Sequence, residues 1–376
     1  MPELFEKTAV KSLDLDNRSV RSATWSGVGD AEGHVVDKAA EIYGELARGG
    51  VGLIITGFQY VLPNGVGIKY QVGNYHDSQI EGLSRMASAV HAENGKVAAQ
   101  IVHTGAKAVP DLFPEPGQIW GPSAITDPLT QNQAEEMTRA EIRQLIEAYA
   151  AAASRSKTAG FDAIQLHGAH GYGINQFLSG FFNRRGDGYG GDIKSRYRFL
   201  GEVMEAVRSA VGSDYPVMIK LSGHDFYEGG LVPDESLYVA KRLTDDGIDA
   251  IEVSAGSRAA GEAFSPSRKK VRTEEDEAYL LDLAAMFKQA LRVPVITVGG
   301  IRSPSVISRI LSEGKADYAA MCRPFIREPH LINRWKSGDT SKAACISCNG
   351  CFEAAAEGNG VYCMVERKLR EKRAEA

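Results

Sequence analysis

The fold is decided by the stretch Phe161-Asp162-Ala163-Ile164-Gln165-Leu166, which runs directly into His167-Gly168-Ala169-His170-Gly171-Tyr172. The first six residues are mostly apolar and too few for a long helix, so they fit a strand buried on both faces, as in a parallel sheet. In parallel α/β folds, reactive groups lie at the carboxyl ends of strands. The stretch therefore predicts a buried strand that ends on a functional site.

Two histidines and a tyrosine follow this strand at short spacing. His167 and His170 are three residues apart, and Tyr172 comes two residues later. Imidazoles can donate hydrogen bonds to a carbonyl oxygen, and a phenol can hand over a proton. The alternative is a pair of structural histidines beside a glycine-rich turn, but the whole constellation favours a catalytic role. We therefore expect His167, His170 and Tyr172 to be the catalytic residues.

Strand-like apolar runs alternate with amphipathic helical patterns from residue 18 to about residue 336. Eight repeats of strand and helix are typical of a TIM (β/α)8 barrel, and a doubly wound open sheet is the alternative. The predicted helices include residues 78–93, 139–158, 195–211 and 234–246. The predicted strands are residues 19–24, 51–57, 97–103, 161–167, 217–222, 250–254, 295–299 and 316–321.

The length and charge of the chain limit its class. Its 376 residues exceed the typical barrel of about 250 residues, which leaves room for an extension. We expect residues 1–336 to form the barrel and residues 337–376 a cysteine-rich C-terminal extension. A net charge of −5 gives no reason to expect nucleic-acid binding. The chain shows neither a leader nor an apolar run of roughly 18 residues, so we expect a cytoplasmic protein that does not enter a membrane.

Small residues and arginines follow the last two predicted strands. Gly299 and Gly300 come after the seventh strand, and Cys322 and Arg323 after the eighth. Free backbone amides at such turns can bind a phosphate, and TIM barrels often bind phosphate there. Glycine turns also occur for purely geometric reasons, so both interpretations stay open. Cys322 itself is expected to be a small packed residue.

Three polar residues, Thr24, Gln100 and Lys220, lie on otherwise apolar strands. A polar group inside a packed barrel costs free energy unless it is paired, so each needs a partner. A polar heterocycle is one candidate partner. A buried salt bridge is the alternative for Lys220.

Four cysteines cluster near the C-terminus. Cys345, Cys348 and Cys351 have the spacing CxxCxxC, and Cys363 follows after eleven residues. Three closely spaced thiolates and a distant fourth can bind a [4Fe-4S] cluster. Zinc held by the same four thiolates, or four free thiols, are the alternatives, because spacing alone does not choose the metal.

These motifs resemble those of the old yellow enzyme family of FMN-dependent ene reductases and NADH:flavin oxidoreductases. The resemblance runs from Leu4 to about Lys368 and rests chiefly on the motif from His167 through Gly191 into Arg196. It is closest to the barrel portion of the branch that contains 2,4-dienoyl-CoA reductase, trimethylamine dehydrogenase and 2-enoate reductase. In that branch a [4Fe-4S] motif follows the barrel, as the four cysteines do here.

The resemblance implies a role for each candidate residue. His167 and His170 would bind the oxygen of an activated carbonyl, and Tyr172 would donate the proton. Trp25 stands where many relatives carry a threonine or cysteine that contacts flavin O4. The implied FMN-binding residues are Ser22, Ala23, Thr24, Gly57 and Gln100 around the isoalloxazine, Lys220 near flavin N1, and Gly299, Gly300, Cys322 and Arg323 at the phosphate.

The implied activity is an FMN-dependent ene reductase (class 1.3 or 1.6) that transfers hydride to the β-carbon of an α,β-unsaturated carbonyl compound. NADH or NADPH would reduce the flavin directly, or a partner protein would do so through the [4Fe-4S] cluster. A homo-oligomer is also expected. The alternatives are an amine dehydrogenase of the trimethylamine dehydrogenase type, an electron-transfer subunit without turnover of its own, and a non-redox phosphate-binding barrel such as an aldolase.

Overall fold

A closed barrel of parallel strands forms the body of the protein. The computed structural model describes residues 3–374, and within them eight strands pair in sequence order. The eighth strand pairs with the first, Ala319 opposite Ser19, so no edge is left open. The TIM barrel prediction is therefore confirmed, and the open doubly wound sheet is excluded. The strands are Ser19–Arg21 (β1), Leu53–Ile55 (β2), Val97–Val102 (β3), Ala163–Gly168 (β4), Val217–Ser222 (β5), Ala250–Ser254 (β6), Val295–Val298 (β7) and Tyr318–Met321 (β8).

Helices surround this barrel. The predicted helix at residues 139–158 is observed with the same bounds, because Thr138 and Glu141 form a capping box at its start. The α-helices are Lys38–Arg48 (α1), Ile80–His91 (α2), Arg139–Thr158 (α3), Gly173–Leu178 (α4), Ile193–Val211 (α5), Pro233–Asp245 (α6), Leu281–Ala290 (α7), Pro304–Ser312 (α8), Arg323–Arg327 (α9), Leu331–Lys336 (α10), Cys351–Ala355 (α11) and Met364–Ala374 (α12).

The first two barrel strands are shorter than predicted. Strand β1 ends at Arg21 and β2 at Ile55, whereas the sequence predicted strands to Thr24 and Gly57. The N–H groups of Ser22 and Thr56 still donate to the carbonyls of Met321 and Ala98 on the neighbouring strands, and the residues after them lie beyond the ladder. They form loops at the carboxyl-terminal mouth of the barrel, where the site residues gather.

The amino-terminal end of the barrel, here called the lower end, is closed. A short antiparallel hairpin, Thr8–Val10 with Leu13–Leu15, precedes β1. Its Val10, Leu13 and Leu15 pack in one buried cluster with inward-facing side chains of the barrel strands, including Met218 and Ile296. This apolar plug fills the lower part of the barrel. The space for a ligand is therefore at the carboxyl-terminal mouth, here called the upper end.

The C-terminal extension packs against the mouth of the barrel. The backbone N–H of Gly360 donates to the carbonyl of Gly27 at 3.2 Å, and Ala355 lies directly over Gly27. Trp25 packs with Cys351 in a small apolar cluster. The extension therefore touches the loop that follows β1. The boundary between residues 336 and 337 stays a prediction.

Two further predictions concern the surface and the loops. Within residues 3–374, no helix is long and apolar enough to cross a membrane. The long connection after β3 contains a short pair of strands, Trp120–Gly121 and Glu135–Glu136, and the one after β4 contains α4. Both connections lie on the mouth side of the barrel.

Candidate active site

The two histidines and the tyrosine converge at the end of β4. The rings of His167 and His170 are 5.3 Å apart and nearly perpendicular, and the rings of His167 and Tyr172 are 5.0 Å apart. His170 and Gly171 both have positive φ, 63° and 73°, so the chain turns back sharply after the strand. This turn brings Tyr172 over His167. The sequence predicted the convergence, and the structure shows it.

Both imidazoles are electrically neutral in this setting. Burial holds the pKa of His167 and of His170 well below its usual range, and the ammonium groups of Lys220 and Lys107 lower these pKa values further. The backbone N–H of Ala169 donates to Nδ1 of His167 at 3.3 Å, which leaves Nε2 as its N–H donor. Nε2 of His170 lies 2.7 Å from Oγ of Ser254. When that hydroxyl donates to Nε2, His170 carries its proton on Nδ1, so each imidazole offers one N–H group without carrying charge.

Tyr172 holds its proton firmly. Burial raises the pKa of Tyr172 to about 12, so the phenol is protonated at neutral pH. Phe58 packs on one side, with ring centroids 5.5 Å apart. A protonated phenol beside two neutral imidazoles has the chemistry of a proton donor next to hydrogen-bond donors.

Lys107 is a site residue that sequence reasoning missed. Its ammonium donates to the carbonyl of His170 at 2.6 Å and lies 5.4 Å from the ring centroid of Tyr172. The side chain is buried, and burial lowers the pKa of Lys107. The available signal was the position of Lys107 shortly after β3, but a lysine in a loop is usually a solvated residue.

A chain of buried polar side chains crosses the upper barrel. The Lys220 ammonium lies 2.8 Å from Oε1 of Glu252 and donates to Oγ of Ser22 at 2.7 Å. Gln165 donates to the other oxygen of Glu252 at 2.9 Å and accepts from Gln100 at 2.6 Å. Lys220 therefore has the buried salt bridge that was the alternative interpretation. Glu252 and Gln165 were missed, although both are polar residues on otherwise apolar strands.

This network keeps one hydrogen-bonding group free. Among the described residues, Oε1 of Gln100 is buried and has no hydrogen-bond partner. A buried acceptor without a partner costs free energy, so it indicates a missing donor. A flavin ring, whose edge carries an N–H group beside carbonyl oxygens, has the chemistry to supply that donor.

Glycines and an arginine form the candidate phosphate site. Gly299 and Gly300 follow β7 with φ of 136° and 74°, which favour glycine. A Cβ on Gly300 would lie 2.9 Å from the ring of Tyr279. Arg323 is the first residue of α9 and is largely buried. The bare glycine backbone and the arginine lie after neighbouring strands, as a phosphate cradle requires.

The remaining predicted flavin residues lie on the loops at the mouth. Thr24 and Gly57 are neighbours after β1 and β2, because a Cβ on Gly57 would lie 2.7 Å from the carbonyl of Thr24. Oγ1 of Thr24 also contacts Sγ of Cys322. Ser22 belongs to the polar network, and Ala23 is the next residue along the chain. These residues from β1, β2 and β8 therefore meet at one side of the mouth.

Trp25 does not offer its indole N–H to this mouth. The N–H donates to the carbonyl of Lys69 at 3.0 Å, and only 8% of the side chain is exposed. Trp25 therefore packs beneath the C-terminal extension, and its hydrogen bond serves the loop of Lys69.

The four clustered cysteines are free thiols of unequal exposure. Cys345 and Cys351 are buried, Cys363 is half-buried and Cys348 is exposed. Burial, followed by the nearby thiols of Cys322, Cys345 and Cys348, raises the pKa of Cys351 to about 12. Such thiols become thiolates when a metal binds them, because the cation stabilises the anion.

The sulfurs of these cysteines do not form a compact group in the structure. In the part of the chain that the structure describes, the one cluster of three metal-ligand atoms within 4.8 Å of one another is Asp30, Glu32 and His34, at the surface. No three cysteine sulfurs approach so closely. The four thiols are candidate ligands by their sequence spacing, and the group that they bind stays a prediction.

The chain is similar to known proteins along most of its length. An NADH oxidase from Thermoanaerobacter brockii is 36% identical over 355 residues, which are 93% of this chain and 54% of that protein. The chain thus spans about half the length of that relative. A 2-naphthoyl-CoA reductase bound to 2-naphthoyl-CoA superposes with a TM-score of 0.88 at 30% identity, covering 96% of this chain and 56% of that one.

A third similar protein is a histamine dehydrogenase from Rhizobium sp. 4-9, with a TM-score of 0.83 at 27% identity. It covers 96% of this chain, which in turn covers 51% of the dehydrogenase. The family model of the NADH:flavin oxidoreductases matches residues 3–342. This match, over most of the chain, shows that the chain belongs to the NADH:flavin oxidoreductase / NADH oxidase family.

Proposed function

We propose that this protein is an FMN-dependent reductase of alkenes activated by a carbonyl group, such as enones, enoates or enoyl thioesters. The observation that carries the proposal is the joint placement of His167, His170 and Tyr172 at the mouth of the barrel. Two neutral N–H donors suit a carbonyl oxygen that gains negative charge, and a protonated phenol suits delivery of the proton.

The residues present fit an FMN. The free acceptor on Gln100 and the network around Lys220 lie in the upper barrel, where a ring would need polar partners. The bare backbone of Gly299 and Gly300, with Arg323, suits the phosphate. Ser22, Ala23, Thr24, Gly57 and Cys322 would line the remaining contacts. When bound and reduced, FMN supplies a hydride to the β-carbon of the substrate.

The protein's own residues complete the reaction. The N–H groups of His167 and His170 donate to the substrate oxygen and stabilise the enolate that forms as the β-carbon accepts hydride. Tyr172 then gives its proton to the α-carbon. The double bond is thereby reduced by one hydride and one proton. The phenol regains its proton from solvent.

The electrons reach the site by one of two routes. NADH or NADPH reduces the flavin directly, or a partner protein delivers electrons through a [4Fe-4S] cluster held by Cys345, Cys348, Cys351 and Cys363. The CxxCxxC spacing with a later fourth cysteine, and the packing of Cys351 with Trp25, support a cluster beside the barrel mouth. In this proposal residues 1–336 hold FMN and residues 337–376 hold the cluster.

Amine oxidation is a second candidate. The similarity to a histamine dehydrogenase favours it. The histidine pair argues against it, because oxyanion donors suit a carbonyl substrate better than an amine. Anaerobic addition of trimethylamine or histamine separates the two, since an amine dehydrogenase would reduce its flavin with these compounds alone.

An anaerobic absorption spectrum with iron and acid-labile sulfide assays tests the proposal. We expect flavin bands and about four irons per chain, bleaching by NADH or NADPH, and recovery of the flavin bands on addition of cyclohexenone. Flavin and iron that neither nucleotide can bleach would point to the partner-protein route. A protein that binds no FMN would overturn the proposal.

A further inference from the structure

We propose that Asn349 is a positioning residue that couples metal binding by the cysteines to FMN affinity. It lies between Cys348 and Cys351 in the segment 345–351, here called the cysteine loop. The inference rests on the proposed FMN and cluster sites and adds a dependence between them.

One side chain joins the cysteine loop to the candidate phosphate site. Arg323 donates to Oδ1 of Asn349 at 2.7 Å, and Asn349 donates to the carbonyl of Ser267 at 2.8 Å. Arg323 also donates to the carbonyl of Arg268 at 2.9 Å. Arg323 is only 9% exposed, and both of these hydrogen bonds run from its Nη1, so Asn349 is one of two groups that orient this nitrogen. The amide of Asn349 therefore helps to set where this cation points.

A second contact joins the two regions independently. Arg302 follows Gly299 and Gly300, and its Nη1 donates to the carbonyl of Cys345 at 2.7 Å. The carbonyl of Arg302 accepts from the backbone N–H of Ala343 at 2.8 Å. Among the described residues, Nε and Nη2 of Arg302 are buried without a hydrogen-bond partner, although Nε lies 3.8 Å from Glu277. Arg302, which follows the two glycines, and Arg323, which follows β8, thus both donate a hydrogen bond to the cysteine loop.

The cysteine loop needs outside support to keep this shape. Ser347 and Asn349 have positive φ, 55° and 65°, which costs free energy for the serine and less for the asparagine. Four cysteines bound to one metal group would hold the loop in this conformation. Without the metal, the loop can relax and Asn349 can leave Arg323.

Coupling of this kind acts in both directions. A cysteine loop already fixed by the cluster holds Arg323 in place. Binding of the FMN phosphate then costs less conformational entropy. By linkage, bound FMN must stabilise the cluster by the same factor. Because one charge-assisted hydrogen bond is at stake, we expect a factor of about ten in FMN affinity.

The test compares FMN binding with and without the cluster. Wild type and Asn349→Ala are each prepared in two forms, reconstituted with iron and sulfide or stripped with a chelator and mild oxidant. Iron and sulfide are assayed, and free FMN is measured after ultrafiltration. We expect stripping to raise the Kd for FMN about tenfold in wild type and to leave it nearly unchanged in Asn349→Ala.

Asn333→Ala serves as the matched control. Its side chain donates to the carbonyl of Arg48 and touches neither the cysteine loop nor the phosphate site. We expect this variant to keep the tenfold effect of wild type. A purely structural role of Asn349 would instead weaken FMN binding equally in both forms.

A second measurement needs no variant. Wild-type protein is exposed to a chelator with and without saturating FMN, and the loss of cluster absorbance is followed. We expect slower loss with FMN bound. Equal rates, or an equal Kd for FMN in the iron-loaded and stripped forms, would overturn the coupling and leave the proposed reduction of enones untouched. Protein that binds no iron would overturn the proposed cluster and the coupling with it.

Discussion

Tyr172 is suited to give a proton because burial keeps that proton in place. Replacing Tyr172 by Phe removes the hydroxyl and keeps the ring that packs on Phe58. We expect oxidation of the reduced flavin by cyclohexenone to slow by about 100-fold or more. Flavin reduction by NADH or NADPH should keep its rate, because it needs no proton from this residue. Stopped-flow absorbance measures the two half-reactions separately.

The pH dependence provides a check on the same residue. Since the pKa of Tyr172 is raised to about 12, the proton donor stays protonated between pH 6 and pH 9. The rate of enone reduction in wild type should therefore show no decline from loss of this proton in that range. A Tyr172→Phe variant with the wild-type rate would assign proton delivery to another group or to water.

Lys107 is expected to support the histidine pair. Lys107→Met removes the ammonium that binds the carbonyl of His170 and that disfavours charge on both imidazoles. We expect phenolic ligands to bind about tenfold more weakly, as measured by their absorbance change on binding to the flavin. The exposed Lys241→Met is the control and should bind them normally. Unchanged phenol binding in Lys107→Met would limit Lys107 to a structural role.

The elements show what the sequence can and cannot reveal. Strands β5 and β6 were predicted with their observed bounds, because Val217–Ser222 and Ala250–Ser254 are apolar runs buried on both faces. The histidine pair was found because its members are close in sequence. Lys107 and Glu252 were missed because their importance comes from neighbours 63 and 32 residues away, which the pairing of adjacent parallel strands brings near.

Packing of the extension on the barrel depends on one glycine. Gly27 has φ of 62°, and a Cβ there would lie 2.2 Å from the carbonyl oxygen of Ala355. We expect Gly27→Ala to displace the extension and lower the iron content of reconstituted protein, while the far-ultraviolet circular dichroism of the barrel stays similar. Iron and sulfide assays after desalting measure the effect.

Gly314→Ala is the control for backbone strain. Gly314 has a similar φ of 64°, but nothing lies within 4 Å of the added Cβ. This variant should lose some stability and keep its iron. Full iron content in Gly27→Ala would show that the contact with Ala355 does not hold the extension in place.

At the scale of the whole molecule, the barrel is apolar below and polar above. The N-terminal hairpin closes the lower end, and the network of Gln100, Gln165, Glu252 and Lys220 occupies the upper end. Buried polar groups without all their partners lower the stability of the ligand-free protein. A ligand that supplies the missing partners should raise it.

FMN should therefore stabilise the fold. A ligand at 100 times its Kd adds about 2.7 kcal/mol to the free energy of unfolding, which raises Tm by several degrees. We expect this shift when FMN is added to flavin-free protein in a thermal melt, and a smaller shift with riboflavin, which lacks the phosphate. Equal shifts with both compounds would contradict the phosphate site at Gly299, Gly300 and Arg323.

The most direct test of the central claim is a single turnover. Protein photoreduced without any nucleotide is mixed anaerobically with cyclohexenone, and both the flavin absorbance and the product are measured. If the site reduces activated alkenes, the flavin bands return and about one cyclohexanone forms per flavin. Reduced flavin that persists in the presence of cyclohexenone, while dioxygen still oxidises it, would contradict the account.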